Sequence, residues 1–190
     1  MIELNKALTQ IIFHASLENG NSSIDALQGI ENRALNFAAQ LTHPDGAELI
    51  NKRARTAQIA VCVATGPSLT KQLPLLKKYA KKATIFCADS SYTILQQNDI
   101  KPDYVLSMER YSKTSELFDY DFEKEYDENI TFLVAAVTDF NTTKFLESNG
   151  RKYMIALRPG LFPKFLGLDE FGYIGVNHSV GNMNFELAAY

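Results

Sequence analysis

From residue 59 onward two kinds of pattern alternate, and that alternation restricts the chain to very few folds. Five short apolar runs, at residues 59–64, 83–88, 104–108, 130–136 and 152–157, are rich in β-branched residues and carry almost no charge. Runs of this length and composition suit parallel strands covered on both faces. Helical periodicity separates them. Leu69, Leu73, Leu76 and Tyr79 follow the first run, and residues 92–97, 111–118 and 138–148 follow the next three. Asn149-Gly150 is the expected stop of the last helix. The acidic, aromatic stretch 119–128 reads as a loop. Strands joined through helices make right-handed crossovers. The expected architecture is therefore α/β: a Rossmann-like three-layer sandwich with a mostly parallel sheet. In such a sheet the segments after the strand carboxyl ends share one rim, and ligands bind where the strand order reverses.

The first third reads as helical. Leu4, Leu8, Ile11, Ile12 and Ala15 lie at helical spacing, residues 19–23 break the pattern, and residues 24–41 resume it with Leu27, Ile30, Leu35 and Phe37 apolar. After His43-Pro44-Asp45-Gly46, residues 47–55 suggest a short helix. Residues 1–56 are thus expected as a helical lead-in, and residues 57–190 as the α/β domain. With 46% apolar and 22% charged residues the chain is globular. A net charge of −3 without a basic run gives a nucleic-acid partner no electrostatic support. No apolar segment is long enough to span a bilayer and the start lacks a signal pattern, so a cytoplasmic location is expected. Cys62 and Cys87 fall within strand runs, as small buried residues or, less simply, as a disulfide between neighbouring strands. No Cys–His spacing points to a metal.

The rim is where chemistry is expected. Thr65-Gly66-Pro67-Ser68 joins the first strand to its helix, where unpartnered N–H groups and the helix dipole favour an anion. Gly66 permits close approach, Pro67 sets φ, and Ser68 caps the helix or donates to a phosphate oxygen. Neither a Walker lysine nor a three-glycine dinucleotide pattern is present. Asp89-Ser90-Ser91 follows the second strand, with Asp89 accepting from ribose or capping the next helix. Asp103 is read as facing water at the start of the third strand, and Glu109 ends it as a base or cation ligand. Asn177-His178-Ser179-Val180-Gly181 opens a final helix through Tyr190. There His178 is either a general base or a residue that only bonds backbone.

Ala64-Thr65-Gly66-Pro67-Ser68-Leu69, Ala88-Asp89-Ser90, Ile100-Lys101-Pro102-Asp103-Tyr104-Val105-Leu106-Ser107 and Ser179-Val180-Gly181 occur in that order. Together they resemble the motility accessory factor family of bacterial flagellin glycosyltransferases. The likeness covers residues 59–190. Its core is similar to that of bacterial sialyltransferases and is shared with an archaeal 6-hydroxymethylpterin diphosphokinase family. The resemblance implies transfer of a nonulosonic acid, of pseudaminic or legionaminic type, from a CMP-sugar to Ser or Thr of flagellin, with no tightly bound cofactor. It implies that Gly66, Pro67, Ser68, Asp89, Ser90, Ser179, Val180 and Gly181 bind the nucleotide donor, and that Glu109 stands where the family usually has an acidic residue. Thr65 and Asn177, beside them in sequence, are read as donor-binding too, and the rim's own chemistry makes His178, Glu109 and Asp89 the catalytic candidates. Asn177-His178 stands where the family often has Gly-Gly. The family also continues with a further strand and a helical region, so the chain reads as truncated. Two rivals remain. A diphosphokinase moving pyrophosphate from ATP would need Mg²⁺ held by clustered carboxylates, and Ser107-Met108-Glu109-Arg110 offers one acid followed by a cation. A non-catalytic nucleotide-binding module is the other.

Overall fold

A computed structural model describes residues 3–10, 22–42, 59–120, 124–156 and 179–189. Residues 3–10 are helical (α1) and exposed. The chain then forms α2 (Ser23–Thr42), β1 (Ala60–Val63), α3 (Pro67–Tyr79), β2 (Thr84–Ala88), α4 (Asp89–Gln96) and β3 (Tyr104–Ser107). It continues with α5 (Ser115–Tyr120), α6 (Lys124–Asp127), β4 (Thr131–Ala135), α7 (Phe140–Ser148), β5 (Tyr153–Ala156) and α8 (Val180–Ala189). This is the α/β architecture that the alternation demands.

The sheet order is β1-β2-β3-β4-β5, and every neighbouring pair is parallel. One side-chain row crosses all five strands, Val63 opposite Cys87, then Val105, Phe132 and Tyr153. That row packs beneath Leu69 of α3, Tyr92 and Leu95 of α4, Phe118 of α5 and Leu146 of α7. The opposite row, Ala88, Leu106, Leu133 and Met154, faces Val180, Met183 and Leu187 of α8. Successive side chains of a strand point to opposite faces, so each strand serves both layers. Because each crossover steps to the next strand in the same direction, the strand order never reverses among the described strands. The reversal expected as the binding point is thus absent there. α8 crosses the other face at β1, β2 and β3 instead.

Three local expectations are corrected. β1 pairs with a strand on one side only among the described residues, and Val63 is its one buried residue. It is not the doubly covered strand expected: Cys62 is exposed while Cys87 is buried, and both thiols are free. The stretch 119–128 is not simply a loop. It contains the end of α5 and the short helix α6, held by tertiary contacts: Asp127 of α6 accepts from Arg151 Nε at 2.8 Å, both side chains being buried. Asp103 does not face water alone, since its carboxylate accepts the Ile85 N–H at 2.8 Å and ties β3 to β2. The stop after α7 is as expected: Gly150 takes φ 66°, and the Arg151 N–H reaches the Leu146 carbonyl at 2.9 Å.

α2 inverts the usual rule. Its apolar residues Ile24 (73% exposed) and Leu27 (67%), with Ile30, Leu35 and Leu41, face outward. Its buried face is mostly polar, with Asp25, Asn32, Asn36 and Gln40 beside the small residues Ala26 and Gly29. The reason is a set of hydrogen bonds to loop backbone. Asn36 Nδ2 donates to the Thr138 carbonyl at 2.8 Å and the Ala136 carbonyl at 3.2 Å, while its Oδ1 accepts from Thr143 Oγ1 at 2.8 Å. Asn32 Nδ2 donates to the carbonyls of Val137 and Arg110, each at 2.9 Å. Carbonyls left over where β3 and β4 end are thereby satisfied. Replacing Asn36, which is fully buried, with Ala takes the side-chain donor from two carbonyls, while the Thr143 hydroxyl keeps the Phe140 carbonyl at 2.9 Å. Asn36→Ala is expected to cost about 2–4 kcal/mol in urea unfolding; a loss below about 0.5 kcal/mol contradicts the clamp.

Candidate functional site

The carboxyl ends of β1, β2 and β3 and the start of α8 enclose a cavity of about 410 Å³. Its lining includes Ala64, Thr65, Ala88, Asp89, Ser90, Met108, Glu109, Arg110, Tyr111, Ser179, Val180 and Gly181, and Asp25 of α2 closes one side. The rim therefore brings together Thr65, Asp89, Ser90, Glu109, Ser179, Val180 and Gly181 from four separate stretches of chain. Asn177 and His178 lie outside the described residues.

At the first strand end, Gly66 is the N-cap of α3, with extended backbone at φ −169° and ψ 165°. The Leu69 N–H donates to its carbonyl at 3.0 Å. Pro67 opens the helix, where its missing donor costs nothing. Ser68 is consequently the second helical residue and makes no cap, contrary to expectation. Its side chain turns to a separate apolar groove of about 390 Å³ lined by Val61, Val63, Leu69, Leu76 and Tyr79. A β-carbon on Gly66 would meet no protein atom within 4 Å. Thr65 is tied to the second strand end through Ser90 Oγ at 2.7 Å and Ser91 Oγ at 3.1 Å.

Asp89 is the first residue of α4, behind the N-cap Ala88, so it does not cap the helix. Its carboxylate is buried and doubly held: Oδ1 accepts the Ser90 N–H at 2.7 Å, and Oδ2 accepts the Ser107 hydroxyl at 2.7 Å. Burial raises its pKa and outweighs these two bonds, which pull it down. Glu109, exposed at the rim, is also raised, chiefly by desolvation and then by the Asp89 charge, with Arg110 opposing. The loop carrying it is fixed by backbone: the Glu109 carbonyl accepts the Asp139 N–H at 2.9 Å, and Thr138 Oγ1 donates to the Ser107 carbonyl at 3.2 Å. Arg110 Nη1 pairs with Asp25 Oδ2 at 2.9 Å. At the start of α8, Ser179 Oγ accepts the Asn182 N–H at 3.2 Å, a side-chain cap. A β-carbon on Gly181 would touch only Ser179 Oγ, at 3.8 Å.

Sequence reasoning did not place Asp25, Met108, Arg110 or Tyr111 at the site. The last three carried a signal, since they adjoin Glu109 at the end of a strand. Asp25 lies 85 residues from its partner and carried none.

The arrangement is one of two helix starts, those of α4 and α8, with two raised carboxyls and one guanidinium around a polar hollow; Gly66, Pro67 and Ser68, expected at the site, are not among its lining residues. The 6-hydroxymethylpterin diphosphokinase MptE-like family model matches residues 21–190, and the chain belongs to that family. Among solved structures it is similar to a MAf glycosyltransferase from Magnetospirillum magneticum AMB-1, with a TM-score of 0.56 at 19% identity. The match covers 70% of this chain and 21% of that one, so the chain spans about a fifth of that protein's length. At this identity the likeness is one of fold, as expected from the motifs. No curated protein matches the chain. No helix among the described residues is long and apolar enough to cross a membrane.

Two outcomes follow. Gly66→Ala is allowed by the backbone and the space, so the melting temperature is expected to stay within about 2 °C, while a ligand that approaches the main chain there is weakened at least about tenfold. A large loss of stability contradicts the open space above Gly66. The two raised carboxyls also set a pH dependence. Folding holds their protons more tightly than the unfolded chain does, so their ionisation destabilises the fold as pH rises from the ordinary values of 3.8 and 4.5 upward. In urea unfolding at pH 4 and pH 7, Asp89→Asn/Glu109→Gln is expected to gain relative to the parent at pH 7. An equal difference at both pH values contradicts the assignment.

Proposed function

We propose that this chain is the donor-binding domain of a glycosyltransferase that uses a CMP-activated nonulosonic acid, of pseudaminic or legionaminic type, and delivers it to Ser or Thr hydroxyls of flagellin. The observation that carries this reading is the convergence of Thr65, Ser90 and the capped start of α8 on one polar cavity beside Glu109. Helix starts and hydroxyls supply donors for one phosphate. Tyr111, exposed at the mouth, offers a ring on which a base stacks. Gly66 and Pro67 deliver the first helix start, and Val180 and Gly181 bring the donor close to the last one.

In this mechanism the acceptor hydroxyl oxygen attacks the anomeric carbon. The bond from that carbon to the CMP phosphate oxygen breaks, and its electron pair leaves with CMP. The hydroxyl proton passes to Glu109, whose pKa desolvation raises above the ordinary carboxylate value, which makes it a stronger base than a free carboxylate. Asp89, fastened to Ser90 and Ser107, orients the ribose side of the cavity. His178 is the competing base, and Asn177 sits beside it in sequence. Such a transfer runs without a tightly bound cofactor and places the protein in the cytoplasm.

The family description favours a second reading, a diphosphokinase that passes pyrophosphate from ATP to a pterin alcohol. Asp89 and Glu109, close enough for the Asp89 charge to raise the Glu109 pKa, would then be the residues to hold Mg²⁺, which would neutralise charge on the transferred phosphates. The single acid followed by Arg110 suits a directly bound phosphate better, and the transferase is preferred. A third reading, a non-catalytic module, needs no turnover at all.

Melting shifts separate them. CMP alone, at a hundredfold excess over its Kd, is expected to raise the melting temperature by about 5–10 °C, and Ser68→Ala is expected to leave that shift intact. A shift with ATP that appears only with Mg²⁺ overturns the transferase in favour of the kinase. Binding of CMP without any transfer to an acceptor protein, unchanged by Glu109→Gln, favours the non-catalytic module.

A further inference from the structure

We infer that Arg110 is the side chain that recognises the ligand's phosphate, and that α2 holds it in position through Asp25 and Asn32. The inference rests on the phosphate-binding reading above and adds a residue and an element to it. Arg110 is gripped at both ends from α2. Its carbonyl accepts from Asn32 Nδ2 at 2.9 Å, and its Nη1 donates to Asp25 Oδ2 at 2.9 Å. The side chain is 16% exposed and lines the cavity, and its Nε is buried with no hydrogen-bond partner. That nitrogen is closed to solvent, so the part of the guanidinium open to a ligand is what the side chain exposes to the cavity.

A guanidinium presents five donors in one plane. Asp25 occupies one of them and fixes the plane, which leaves the exposed part of the guanidinium for a phosphate oxygen bound by a charge-assisted hydrogen bond. The charges around the cavity sharpen the point. Asp25, Asp89 and Glu109 all line it, and Arg110 is the cation among its described lining residues. A phosphate is repelled by those carboxylates except along the Arg110 edge and the helix starts, so Arg110 decides where the anion sits. α2, which the sequence pattern presents as a lead-in, thereby becomes part of the binding machinery. Asp25 is a positioning residue that acts through Arg110.

The test is calorimetric titration of the full chain with CMP, cytidine and inorganic pyrophosphate. Arg110→Ala is expected to weaken CMP and pyrophosphate about tenfold to a hundredfold while cytidine changes less than about twofold. Arg110→Lys, which keeps the charge and lets the fold be checked independently, is expected to recover only part of the loss. Asp25→Asn is expected to lower the CMP-to-cytidine affinity ratio in the parent and to have no effect on it in the Arg110→Ala background. CMP binding that survives both Arg110 variants unchanged overturns the phosphate role. An equal Asp25→Asn effect in both backgrounds overturns its action through Arg110. A parent chain that binds neither CMP nor pyrophosphate fails the phosphate-site reading itself and takes this inference with it.

Discussion

Each strand of the sheet pairs in parallel with its successor in the chain, so all five carboxyl ends emerge along a single rim. Parallel strands require crossovers, and right-handed crossovers that always step the same way place their helices on one face. The other face must then be closed from elsewhere, and α8 closes it with Val180, Met183 and Leu187. That one requirement has a chemical consequence. α8 enters over the rim, so its capped start lies beside the loops that leave β1, β2 and β3. The site follows from closing the core, without a reversal of strand order in the described sheet.

The rim is stiffened by polar groups rather than by apolar packing. Thr65 bonds Ser90 and Ser91, Asp89 bonds Ser107, and Thr138 bonds the Ser107 carbonyl. Asn32 and Asn36 of α2 then take up carbonyls from both neighbouring loops. A chain of such bonds links the ends of β1 through β4. Holding recognition groups in place before the ligand arrives lowers the entropic cost of binding. Buried amides and a buried carboxylate also cost desolvation, which is the sense in which the site is built at the expense of stability.

Much of this was legible in the residues. The β-branched runs gave the strands within a residue or two, because a fully covered parallel strand has a distinctive composition. Asn149-Gly150 announced the end of α7 because the turn needs positive φ, which Gly150 supplies. What composition cannot announce is how far a strand is covered. β1 reads like its neighbours, yet Val63 is its one buried residue and Cys62 is exposed. The helix over α2 was legible, yet its buried side was not, since Asn32 and Asn36 bond backbone carbonyls that leave no trace in sequence pattern. The same holds for Asp25 and Arg110. For the site, Thr65, Asp89, Ser90, Glu109 and Ser179–Gly181 were foreseen as neighbours. Ser68 turned away from them because Gly66 took the capping position.

The account stands on the claim that these strand ends and helix starts act as one phosphate-binding rim. Amide chemical-shift mapping on the ¹⁵N-labelled chain during titration with CMP tests it most directly. The account predicts that the signals that move together belong to Thr65, Ser90, Arg110, Ser179 and Gly181. Movement confined to Ser68, Leu76 and Tyr79, in the apolar groove along β1, would contradict it.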